Sequence, residues 1–305
     1  MTERGINMGF LSSLGSAFSS GLKAVAGGIS RGISTLGSTL SSFASGALGI
    51  VGQLFTKAAS FVGLVSSLPL GPLGPVLGPI IGQLIMKVVA KGIEYLAKKL
   101  GIIKDKDEVE EVGYRIEEAQ QHEDWKKQEE FGSFEEYYEY LKQQIPNNQI
   151  EYEKIKENRN RYMVLGTMEL TRGIEDKMQI KMPEDFLFEI GRNRMETSEI
   201  QAIIDAFKEL GYGSVMVSDY FKGKMSRDES LRVKDALITN MKKYYPNKDE
   251  DTLNERLGAM RMISRDDSRL EDIYEDKLTK DKLDKLEKLS RTDDKYFEKI
   301  DFEDL

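Results

Sequence analysis

Apolar side chains recur every three or four positions along the start of the chain: Leu11, Leu14, Phe18, Leu22, Val25, Ile29, Ile33, Leu36, Leu40, Phe43, Ala47, Val51 and Leu54. A mean step of about 3.6 residues predicts helix with one apolar stripe. The other faces carry Ser, Gly, Ala and Thr where a soluble surface helix would carry charges. Small residues let a second backbone come close, but Gly costs a water-exposed helix roughly 1 kcal/mol relative to Ala. Such a helix needs a partner or a bilayer.

Two charge-free windows, Gly32 to Thr56 and Ala58 to Met86, each exceed the ~20 residues that span a hydrocarbon core. Serines dilute the first and prolines cut the second. The pattern predicts a helical hairpin with arms near Leu48 to Leu68 and Ile80 to Leu100. Its turn is LPLGPLGPVLGPIIGQL, in which Pro69, Pro72, Pro75 and Pro79 stop a continuous helix and the glycines let the chain reverse. Gly74, Gly78 and Gly82 also have the small-xxx-small spacing of close helix contacts, which makes them candidate membrane or oligomer contacts. On the second arm Lys87, Lys91, Glu94 and Lys98 share one narrow face, with Leu84, Ile85, Val88, Val89, Ile93, Leu96 and Leu100 on the remainder. Such lysines suit an anionic membrane surface or a wet pore. The bland reading is a core helix with a solvated face.

Beyond Asp105 the pattern is that of soluble helices with clear punctuation. Ser133 with Glu136 opens FEEYYEYLKQQ, which Pro146 ends; Pro183 starts EDFLFEIGR; Thr197 or Ser198 starts EIQAIIDAFKEL, closed by Gly211. Ser226 with Glu229 opens DESLRVKDALITNMKKYY, closed by Pro246, and DTLNERLGAMRMI and DKLTKDKLDKLEKL follow. Strand alternation is not sustained; YGSVMVSDYF is weighed as a helix start. The expected fold class is all-α, with seven or eight short helices in this part.

Charge sharpens the division. Up to Leu100 only Glu3 and Glu94 oppose Arg4, Lys23, Arg31, Lys57, Lys87, Lys91, Lys98 and Lys99, about +6, so the rest of a chain of net charge −8 carries about −14. The expected organisation is 1–103, a glycine- and serine-rich hydrophobic region; 104–263, an acidic helical domain; and 264–305, a charged tail. The N-terminus lacks the basic, apolar and cleavage pattern of a secretory signal.

Catalytic chemistry finds little material. There is no Cys and His122 is the single His, so Cys-based metal sites, a HExxH site and a Ser-His-Asp triad are excluded. His122 reads as solvated, Trp125 as an anchor for its helix, and Gly211 in GYGS as a helix C-cap. PNKDEDTLNE lacks the ligand alternation and central Gly of an EF-hand loop. Carboxylate pairs such as Glu135/Glu136 or Asp249/Asp251 occur by chance in so acidic a chain. No enzyme activity, catalytic residue, cofactor or metal is expected, and an acidic domain disfavours nucleic acid.

In composition and spacing, residues 1 to about 103 resemble glycine-zipper pore-forming toxin domains and the membrane-active segments of virion entry proteins. Phe297 and Asp301, in YFEKIDFEDL, are similar to the F-x-x-x-D pattern of helical export modules in type VII-secreted toxins. These resemblances imply an oligomerising, membrane-permeabilising bacterial effector, secreted or virion-associated, that acts on a lipid membrane and docks through its acidic domain to a chaperone, secretion or immunity partner. The alternatives are a bacteriophage protein ejected to breach the host envelope, and a helical assembly protein that needs no membrane.

Overall fold

A computed structural model describes residue 30 and residues 33–42, 49–67 and 74–266. These residues are all-helical, without a strand among them. Residues 33–42 form α1. Next come α2 (Gly49–Ser66), α3 (Gly74–Lys99), α4 (Val109–Ala119), α5 (Phe134–Gln144), α6 (Tyr152–Glu157) and α7 (Arg159–Met178). The series ends with α8 (Glu184–Arg192), α9 (Thr197–Glu209), α10 (Val217–Lys222), α11 (Arg227–Tyr244) and α12 (Glu250–Arg265).

Among the described residues, the apolar faces of α2 and α3 pack against the acidic part of the same chain. Helix α3 touches α2, α4, α7, α8 and α9, and α2 touches α7 and α8. One continuous core runs from Ile33, Leu36 and Leu40 through Phe55, Phe61 and Val65 of α2 and Ile81, Ile85, Val89 and Ile93 of α3 to Leu165, Phe186, Ile200, Leu237 and Met260. The shift in composition at 101–105 therefore separates two alphabets that pack against each other. It does not interrupt the core.

Local signals place most helix ends. Ser133 Oγ accepts the Glu136 N–H at 3.2 Å, while the Glu136 carboxylate reaches one residue further back than expected, to the Gly132 N–H. Ser226 and Glu229 form the expected reciprocal capping box. Gly211, at φ +76°, ends α9 in the left-handed conformation that Gly adopts without strain. Three expectations shift. Helix α9 is capped by Glu196 with Glu199 rather than by a hydroxyl of Thr197 or Ser198, and Pro183 is the N-cap of α8 rather than its first residue. Helix α3 begins at Gly74, so Pro75 and Pro79 lie inside it; Pro75 falls in the first turn, where the N–H it lacks would have no intrahelical partner, whereas Pro79, one turn on, forgoes one hydrogen bond of the helix. The YGSVMVSDYF stretch contributes one parallel bridge, Ser214 to Lys181, before α10 begins.

Glycine also governs packing inside the acidic part. A methyl group on Gly113 of α4 would come within 1.9 Å of the Tyr162 carbonyl oxygen, and one on Gly166 of α7 within 1.9 Å of the Val109 carbonyl oxygen. The two helices cross backbone to backbone there. Around the crossing, acidic residues of α4 meet basic residues from α6 and α7: Glu110 with Arg159, Glu117 with Arg161 and Glu118 with Lys154.

Candidate functional site

The expected lysine face is brought together, and it is not open water on all sides. Lys87, Ala90, Lys91 and Glu94 of α3, Glu108, Val109 and Glu110 at the start of α4, and Arg159 and Met163 at the start of α7 line one cleft of about 210 Å³. Lys91 is exposed, whereas Lys87 and Lys98 are half-buried. Lys98 Nζ donates to Glu94 Oε1 at 2.6 Å, and Glu94 Oε2 accepts the Val109 N–H at 3.0 Å. One carboxylate thus joins a lysine of α3 to the first turn of α4, where the helix dipole favours negative charge.

Opposite, Arg159 Nε donates to Glu110 Oε1 at 3.0 Å. Glu108 is the N-cap of α4 without capping it, and its side chain makes no hydrogen bond or ion pair among the described residues. Partial burial and the neighbouring carboxylates of Glu110, Glu111 and Glu94 push its pKa up, against a weaker opposing pull from Lys98. The cleft is therefore polarised, with carboxylates at the α4 end and lysines further back along α3.

A second charged contact ties the basic region to the acidic one. Lys57 of α2 donates to Glu175 Oε1 of α7 at 2.9 Å and to the Met182 carbonyl at 3.2 Å. Glu175 is buried and also accepts the Met182 N–H at 2.6 Å.

Of the expected glycine contacts, Gly82 lies on the α2 side of α3, where a methyl group would come within 2.8 Å of Val65 Cγ1 and 3.2 Å of the Val65 carbonyl oxygen. Gly74 and Gly78 lie in the first turns of α3. The rest of the expected turn, 68–73, is outside the described residues, as are Phe297, Asp301 and the tail from 267 onward. Among the described residues no helix is long and apolar enough to cross a membrane, and no group of His, Asp and Glu is arranged to hold a metal ion. His122 is exposed and stacks on Trp125 with ring centroids 4.1 Å apart, in a turn rather than on the expected helix.

Two features escaped sequence reasoning. Glu169 of α7 is fully buried; its carboxylate accepts from Gln128 Nε2 and from Arg172 Nη2 at 2.8 Å, and burial pushes its pKa up to about 7. Glu189 of α8 is fully buried as well, accepting from Ser264 Oγ at 2.5 Å and Asn193 Nδ2 at 3.0 Å, which holds the end of α12. Compared with protein-family models, curated proteins and solved structures, the chain matches none.

Proposed function

We propose that the chain is a membrane-permeabilising protein kept in a stored form, a bacterial effector whose basic, glycine-rich residues 1–103 act on an anionic membrane once they are freed from the acidic helices. The observation that carries this reading is the polarity of the contact between the two parts. Among the described residues, the basic part is held to the acidic part through the Lys57–Glu175 ion pair and through Glu94, which accepts the Val109 N–H, and Lys87 and Lys91 line one cleft with Glu108 and Glu110. An anionic bilayer offers the same partner chemistry, and each basic residue near it gains about 1 kcal/mol.

Magnitudes decide how release would occur. Ile81, Leu84, Ile85, Met86, Val89, Ile93 and Leu96 of α3 are all buried. At about 1.5–3 kcal/mol per fully buried side chain, withdrawing α3 alone costs on the order of 10–20 kcal/mol, as much as the whole stability of a typical domain. Membrane action by α3 therefore requires the fold to open as a unit. Homo-oligomerisation through small-residue faces, catalysis-free action, secretion or packaging in a virion, and docking to a chaperone or immunity partner belong to the same proposal.

A purely structural helical assembly protein is the second reading, favoured by the position of α3 at the centre of the core. Vesicle leakage separates the two. Residues 1–103 should release dye from anionic vesicles more strongly than from neutral ones, with salt weakening the effect, and replacing Lys87, Lys91 and Lys98 by Glu should abolish it. Intact anionic vesicles at micromolar parent peptide would leave the structural reading in place.

A further inference from the structure

Helix α2 shows different faces to different neighbours. A methyl group on Gly37 of α1 would touch Val62 at 3.5 Å, and one on Gly82 of α3 would touch Val65 and, at 3.7 Å, Ile33 of α1. Helix α1 therefore runs antiparallel along α2, and its first residues sit at the C-terminal end of α2. Away from α1, α2 carries Ser60, Gly63, Leu64 and Ser67, all exposed, which form one wall of an open groove of about 610 Å³. A methyl group on Gly63 would meet nothing within 4 Å. Leu64 and Met216, which both line the groove, are each 37% exposed. Carboxylates line it too, from Glu184 and Asp185 at the start of α8 and Asp219 of α10. Asp185 Oδ1 is shielded from water and accepts no hydrogen bond among the described residues. Small residues, two bare apolar side chains and an acidic wall suit a helix that is apolar on one face and carries net positive charge.

We infer that residues 11–25 of the same chain dock in this groove as a helix parallel to α2. They lie outside the described residues, and the place where they join the structure is fixed: Ser30 is helical and Ile33 sits by Val65, so the chain enters at the end of α2. Gly27 and Gly28 permit a reversal there. The four residues 26–29 extend to about 13 Å, enough to round a helix roughly 10 Å wide. The apolar stripe then matches the wall in step. Val25 to Phe18 is seven residues, as is Ser67 to Ser60, so Val25 at Ser67 places Leu22 on Leu64 and Phe18 beside Ser60. Charge selects this segment over the other end of the chain. Residues 1–32 hold Arg4, Lys23 and Arg31 against Glu3, whereas residues 267–305 hold 14 acidic residues against 9 basic ones, which the carboxylate wall repels. A second copy docked symmetrically would bring two such acidic walls together. The docking does not rest on the membrane reading, since a structural helical protein would cover the same groove.

The test uses the full chain, which has no cysteine of its own. Phe18→Cys combined with Ser60→Cys should form an intramolecular disulfide at least about 10-fold faster than Phe18→Cys combined with Tyr95→Cys, through the effective concentration that docking creates. Tyr95 is exposed and lies 13 residues beyond Gly82 on α3, roughly 20 Å along that helix. An undocked segment reaches both positions, because the 15 residues from Phe18 to Ile33 span up to about 50 Å when extended. Adding Met216→Lys, which removes an apolar contact and places a cation in the groove, should bring the first pair down to the rate of the second. Ser60, Tyr95 and Met216 are exposed, so circular dichroism of the variants should match the parent. Equal rates for the two pairs, or a rate that Met216→Lys leaves unchanged, overturns the inference. So does a disulfide formed between two chains, which assigns the groove to a second copy, or faster cross-linking of Ser60→Cys to Phe297→Cys, which assigns it to the acidic tail.

Discussion

Lys57 and Glu175, 118 residues apart in sequence, form an ion pair of 2.9 Å across the junction between the basic and acidic parts of the chain. Glu175 is buried and Lys57 only partly so, which makes the lysine the removable partner. Lys57→Met should destabilise the fold by roughly 1–3 kcal/mol, because Glu175 keeps the Met182 N–H and a 3.4 Å contact with Lys181 but loses its nearest cation. Glu175→Gln in the Lys57→Met background should recover part of that loss. A double-mutant cycle in urea measures the coupling; a coupling near zero would show that the pair does not hold the two parts together.

The glycine crossing makes a sharper steric prediction. Gly166→Ala places a methyl group where the Val109 carbonyl oxygen already lies, so α4 and α7 must separate; the loss should be about 3 kcal/mol or more. Gly258→Ala in α12 meets nothing within 4 Å and should instead stabilise by about 1 kcal/mol through helix propensity. Opposite signs in thermal melts are the expected outcome.

Glu169 predicts a pH dependence. Its folded pKa of about 7 lies above the ordinary 4.5 because burial outweighs the opposing effect of Arg172, with Asp176 and Glu129 adding to the rise. The folded chain then binds more protons than the unfolded chain between those values, so this group's contribution to stability is complete below about 4.5 and is lost as pH rises to about 7. The loss is on the order of 3 kcal/mol. Glu169→Gln, compared with the parent in urea at pH 5 and pH 8, should flatten that window and gain most at pH 8. An unchanged pH profile would contradict the burial argument.

Truncation tests the continuous core. Residues 105–266 without α1–α3 expose the faces of α7, α8 and α9 that α3 covers, so the fragment should keep helical circular dichroism, bind a hydrophobic dye and lose a cooperative melt. A cooperative, dye-free fragment would mean that the shift in composition is a true domain boundary.

Helix class, most caps and the lysine face were readable in the sequence, because caps and 3.6-residue spacing are local. Helix α7 was not. Asn158 caps it without a side-chain hydrogen bond, and it buries Glu169, Glu175, Thr167 and Thr171 among its apolar residues, so neither a start signal nor a clean stripe marks it. Gly113 and Gly166 matter only through a partner about fifty residues away, which no local pattern displays. The absence of charge from the outward faces of α1 and α2 suggested a missing bilayer; for the described part of the stripe, Ile33, Leu36, Leu40 and Leu54, the core of the chain itself supplies the apolar partner.

The central claim is that the folded chain stores its basic helices and that membrane action requires opening of the core. Dye release from anionic vesicles by the full chain, followed across a urea titration beside the fluorescence of the single tryptophan, Trp125, tests it most directly. The account predicts intact vesicles while the chain is folded, release that rises with the same midpoint as unfolding, and a joint shift of both midpoints to lower urea in Lys57→Met. Full release by the folded chain, or no release at any urea concentration, would contradict it.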